Sequence, residues 1–101
     1  MKVCFSPRGK RRARAVAAWW RENRPAASDL FDDELARATD LLEATPKIGV
    51  VFDTKGADVV YRLLMRRTEQ HLYYSLDEQA GVIMVLTIWG ARRGRGPKLC
   101  S

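Results

Sequence analysis

The apolar positions of this chain repeat with a helical period in its first half and with a period of two in its second half. Lys2 to Phe5 predicts a short strand with Val3 and Phe5 on one face. Ser6-Pro7 then predicts a helix start, because Ser caps orphan N–H groups and Pro at the first helical position gives up no hydrogen bond. The helix runs to Asn23, with Ala13, Val16, Ala17 and Trp20 on one side and Lys10, Arg11 and Arg14 mainly on the other. Arg24-Pro25 ends it, since the residue before proline is pushed out of the helical region. A second helix is expected from Pro25 or Ala26 to Ala44, with a stripe of Ala27, Leu30, Phe31, Leu35, Ala38, Leu41 and Leu42. The short break between them predicts an antiparallel helix hairpin.

After Thr45-Pro46 the segment from Gly49 to Gly56 is of mixed character, with Val50, Val51 and Phe52 as a possible short strand. Beyond it Val59, Tyr61, Leu63 and Met65 alternate with Val60, Arg62, Leu64 and Arg66, and a tight turn near Thr68-Glu69 leads into His71–Leu76. A hairpin loop from Asp77 to Gly81 leads to a last strand from Val82 to about Ala91. That strand is apolar on both parities up to Thr87, as in a strand covered on both faces. The expectation is an α+β domain of order β-α-α-β-β-β, a two-layer arrangement with the helix hairpin on one face of a mainly antiparallel sheet. Its 101 residues suit one domain spanning 1–101 and one core.

Charge changes the picture most. The net charge is +6, but residues 1–24 carry eight basic groups against one acid, 25–57 three against seven, and 58–101 seven against four. A basic first helix therefore lies beside an acidic second one, and a second basic arm closes the chain. Such a balance favours an acidic or polyanionic partner. Cys4 and Cys100 lie near opposite ends and form no metal spacing, so free thiols are expected, with no metal and no cofactor. The run before Ser6-Pro7 is too short for a signal peptide's apolar core, and no apolar stretch approaches a membrane span; the expected location is the cytoplasm, with no membrane partner. No phosphate loop, HExxH, GxSxG or zinc spacing is present.

If the helices cover the face bearing Val59, Tyr61, Leu63, Leu72, Tyr74, Met84, Leu86 and Ile88, the other face presents Arg62, Leu64, Arg66, His71, Tyr73, Thr87 and Trp89. A basic surface interleaved with aromatics can grip phosphate and stack a base, though the same residues also populate ordinary solvated sheet faces. Arg92 to Lys98 adds four cations at the end of the last strand. His71, the sole histidine, has no acidic sequence neighbour to orient it and reads as a surface or structural residue; Cys100 sits at a fraying terminus.

The order of elements, with Val3-Cys4-Phe5-Ser6-Pro7, Arg24-Pro25-Ala26-Ala27, Thr45-Pro46-Lys47-Ile48-Gly49, Tyr61-Arg62-Leu63-Leu64, His71-Leu72-Tyr73-Tyr74 and the run from Val85 to Arg93, resembles the RelE/ParE superfamily of bacterial toxins. The resemblance implies the toxin of a type II toxin–antitoxin module, neutralised by direct binding of a cognate antitoxin. RelE-like members are ribosome-dependent mRNA endoribonucleases that use clustered basic side chains and commonly a Tyr or His near the C-terminal end. ParE-like members inhibit DNA gyrase and are not nucleases.

This chain keeps basic residues at Arg92, Arg93 and Arg95 but has Gly90 where many members place a His, and no Tyr or His follows Trp89. That departure favours the ParE-like reading, with no catalytic residue and with Trp89, Arg92, Arg93 and Arg95 as target contacts. In the alternative, an endoribonuclease, Arg62, Arg66, Arg92 and Arg93 offset phosphate charge and His71 or Tyr73 moves protons. A non-toxic basic binding module is the third reading. The antitoxin is expected on the apolar outer positions Leu64, Ile83, Val85 and Trp89, or on the exposed helix edge at Trp19.

Overall fold

The computed structural model describes residues 1–55, 58–93 and 96–97. Strand β1 (Lys2–Phe5) leads into helix α1 (Pro7–Asn23); after a 3₁₀ turn (Pro25–Ala27) comes helix α2 (Leu30–Ala44). Strands β2 (Val50–Lys55), β3 (Asp58–Met65), β4 (Gln70–Asp77) and β5 (Val82–Gly90) follow, and a 3₁₀ turn (Ala91–Arg93) ends the described order. They form one five-stranded sheet in the order β1-β5-β4-β3-β2, antiparallel except for the parallel β1–β5 pair. Both helices pack on one face, with Val16, Phe31 and Leu42 meeting Leu72, Tyr74, Ile83, Val85 and Ile88 in a single core. The α+β two-layer expectation holds.

The sheet has one strand more than the order β-α-α-β-β-β allows. The segment with the possible short strand pairs along β3 from Val50↔Arg62 to Lys55↔Asp58, with an irregularity at Phe52. A bulge breaks the period of two, which is why the pattern of this edge strand reads as mixed. The second helix begins at Leu30 rather than at Pro25 or Ala26: proline fixes a tight 3₁₀ turn first, and Asp29 stands before the first full turn.

The larger correction concerns β5. Ile83 and Val85, expected on the outer face, are completely buried in the core with Ile88, whereas Met84 and Leu86 are only partly buried and stand outside the core cluster. The cause is a bulge: Tyr73 pairs with Thr87 but Tyr74 pairs with Val85, so Leu86 is the extra residue. One inserted residue flips the face of every side chain before it. Ile83 and Val85 therefore offer no docking surface.

The bulge also seats α1. Ser6 N–H donates to the Val85 carbonyl (2.9 Å), and the Ser6 hydroxyl donates to the Leu86 carbonyl (3.1 Å) while accepting from Gly9 N–H (3.0 Å). Gly9 is required by this close approach, because a Cβ there would stand 2.6 Å from the Val85 carbonyl oxygen.

At the other helix, the Glu34 carboxylate accepts from Arg67 N–H (2.8 Å), Thr68 N–H (2.9 Å) and the Thr68 hydroxyl (2.6 Å), tying α2 to the β3–β4 turn. Thr68 is buried, so its polar groups depend on that carboxylate. Glu34→Ala is expected to lower the stability by about 2–3 kcal/mol, and Glu34→Gln by less, measured as a shift of the urea midpoint.

Candidate functional site: a basic and aromatic cleft on the open sheet face

Strand alternation puts Leu72 and Tyr74 in the core, so His71 and Tyr73 project from the opposite face of β4. The register then lays two transverse rows on that face. One is Arg62 opposite Tyr73 opposite Thr87; the other is Leu64 opposite His71 opposite Trp89. Arg62, His71, Tyr73, Trp89, Ala91 and Gly96 line a cavity of about 230 Å³ at the end of β5. The structure thus gathers four of the sequence-selected residues, Arg62, His71, Tyr73 and Trp89, into one place. His71 and Trp89 are direct cross-strand partners, although they are 18 positions apart in the chain.

His71 packs edge-to-face against Tyr73, with ring centres 6.0 Å apart. Burial, and after it the positive charge of Arg62, holds its imidazole below the ordinary value of 6.5. The ring is therefore neutral at physiological pH and can accept a proton. Arg62 lies over the Phe52 ring at 5.8 Å, and Phe52 meets Tyr73 edge-to-face at 4.7 Å. The cleft accordingly holds a fixed cation, a neutral base and aromatic walls. Among the described residues no group of His, Cys, Asp and Glu is arranged to hold a metal ion.

The sequence pattern does not mark Phe52, because the β2 bulge hides its parity; its signal is an aromatic residue beside two valines. Gly96 is the second addition: it abuts Phe52 so closely that a Cβ would lie 2.5 Å from the ring's Cζ. Thr87 is fully buried, and among the described residues its hydroxyl has no hydrogen-bond partner. Such an arrangement costs about 1–3 kcal/mol.

The other selected residues lie elsewhere. Arg66 follows the end of β3 and faces α2, in a groove with Asp33, Glu34, Arg37, Leu41 and Leu64; it does not reach the cleft, because the strand's alternation stops at Met65. Arg92 is gripped by Glu69, its terminal nitrogen donating to Oε1 at 2.8 Å and its Nε pairing with Oε2. Arg93 lies in the final 3₁₀ turn, and Arg95, Lys98 and Cys100 lie outside the described residues. Trp19, on α1, lines a separate groove. Cys4 is a free, partly buried thiol. Among the described residues no helix is long and apolar enough to cross a membrane.

No protein-family model and no curated protein matches the sequence. Among solved structures, the chain superposes on the isolated RelE toxin of E. coli with a TM-score of 0.55 at 17% identity, covering 92% of this chain and 86% of that one. The fold is that of RelE. In this RelE fold the cleft occupies the sheet face that the helices leave open, and His71 and Arg62 project from the central strand β4 and its neighbour β3.

Proposed function

We propose that this chain is a RelE-like toxin that cleaves messenger RNA, and that the Arg62–His71–Tyr73–Trp89 cleft is where it does so. One observation carries the reading: the direct pairing of His71 with Trp89, beside Arg62. The ParE-like expectation rested on the absence of a proton-transfer group next to Trp89 in sequence. The adjacent strand supplies that group in space, which supports the nuclease reading over the gyrase inhibitor.

In this account neutral His71 takes the proton from a ribose 2′-hydroxyl, and the oxygen attacks the adjacent phosphorus. Arg62 offsets the charge that develops on the phosphate oxygens. The bond to the 5′-oxygen breaks, that oxygen takes a proton from water at the open mouth of the cleft, and a 2′,3′-cyclic phosphate remains. Tyr73 packs edge-to-face against the imidazole, and Trp89 offers a face for a base. Neutralisation by an antitoxin falls to exposed apolar positions away from the core; Leu64 and Leu41, each about two-fifths exposed and lining one groove, are the candidates.

The test is the purified protein added separately to translating ribosomes with messenger RNA and to DNA gyrase with relaxed plasmid. Cleaved message with a 2′,3′-cyclic phosphate end and unimpaired supercoiling are expected. Intact message with trapped, cleaved plasmid would restore the gyrase reading.

A further inference from the structure

At the end of the sheet the cleft gives onto a second groove, on the helix side, of about 410 Å³. Arg12, Ala15, Trp19 and Trp20 of α1 form one wall, and Gln70 and Gly90 form the other. Gly90 lines both cavities, and its pairing with Gln70 is one register step from the His71–Trp89 pair. The residue common to cleft and groove is therefore a glycine, which contributes no side chain between them.

The groove has the chemistry of a base-binding site. Trp19 is 47% exposed, unusual for so large an apolar ring, and is held edge-to-face by Trp20 at 5.8 Å. The Arg24 guanidinium lies over the Trp19 ring at 5.4 Å. Gln70 lends an amide, able to donate and accept, and among the described residues no carboxylate lines the groove. Of the cations of α1, Arg12 lines the groove and Arg8, one helical turn earlier, shares its face, while Lys10, Arg14 and Arg21 lie on the far side of the helix. Aromatic faces set among cations are how single-stranded nucleic acid is held without regard to sequence.

We infer that this groove binds single-stranded RNA flanking the cleavage point, one base stacking on Trp19 and its phosphates meeting the Arg8–Arg12 face of α1. The inference rests on the nuclease reading for its direction, from cleft to groove, but concerns binding and is read without cleavage. An acidic protein segment is the rival occupant. The aromatic platform and the shared glycine favour RNA, because neither serves a carboxylate.

The experiment uses the full chain carrying His71→Gln and fluorescein-labelled oligouridylates of about 4 and about 12 nucleotides, followed by anisotropy. Adding Trp19→Ala is expected to weaken binding of the longer oligomer about tenfold while leaving the shorter one unchanged, as loss of one base stack requires. Trp19→Phe is expected to retain most of the affinity, which separates stacking from a folding defect. Equal affinity of the Trp19→Ala and parent proteins for the longer oligomer would overturn the inference. So would a polyglutamate peptide that binds with the same dependence on Trp19 and displaces the RNA. If the longer oligomer binds through Trp19 but the wild-type protein cuts no message on ribosomes, the nuclease reading fails and the groove stands.

Discussion

His71→Gln is expected to reduce message cleavage by about 10²- to 10⁴-fold while leaving the fold intact, measured by single-turnover cleavage on programmed ribosomes. Glutamine keeps a side chain of similar reach and polarity but cannot take up a proton. The loss should fall on the chemical step and leave binding of the ribosome nearly unchanged. The pH profile supplies a second signature. On the nuclease reading cleavage needs the neutral imidazole, and burial together with Arg62 favours that form, so the acid limb of the wild-type profile should lie below the ordinary imidazole value of 6.5. The variant's residual rate should show no such limb. The same shift links to stability: the unfolded chain takes up the proton first as pH falls below about 6.5, so the folded state loses stability there. Above that pH the contribution is fully present, and His71→Gln removes this dependence.

Arg62→Ala carries the next largest effect, an expected loss of about 10²- to 10³-fold in the same assay. The guanidinium stands in the same cleft as the base and lies over Phe52, which holds its planar group in place. Arg62→Lys should recover little, because an ammonium neither stacks on the ring nor offers two parallel donors to a phosphate. Removing Arg62 also removes the second cause of the depressed His71 pKa, so the acid limb should move towards higher pH in this variant.

The helices and the meander were legible because their apolar periods are clean: Val16, Ala17 and Trp20 on α1 and Leu72 and Tyr74 on β4 all lie where the pattern puts them. The faces of β5 were not, and the reason is particular. Apolar residues occupy both parities from Val82 to Leu86, so nothing in the pattern marks Leu86 as the inserted residue, and plain alternation puts Ile83 and Val85 on the wrong side. The three bonds from Glu34 to the β3–β4 turn were equally hidden, since an acid early in α2 has an ordinary explanation in the helix dipole.

For the cleft, the sequence supplies Arg62, His71, Tyr73 and Trp89 as residues of one face, and Arg62 with His71 or Tyr73 as the groups of the endoribonuclease alternative, but not the register that brings them together. His71 read as a lone surface histidine because its partners come from across the sheet: Trp89 by register, Arg62 from the neighbouring strand. The arginines after Trp89 are conspicuous in the sequence, and the structure gives a partner to one of them. Arg92 is already engaged by Glu69, and an exposed pair of this kind contributes little by itself.

The nuclease reading is tested most directly by primer extension on messenger RNA after induction of the wild-type chain and of His71→Gln in living cells. Truncated transcripts are expected with the wild type within the period of growth arrest, and full-length transcripts with the variant. Growth arrest with intact transcripts, or equal truncation by both proteins, would contradict it.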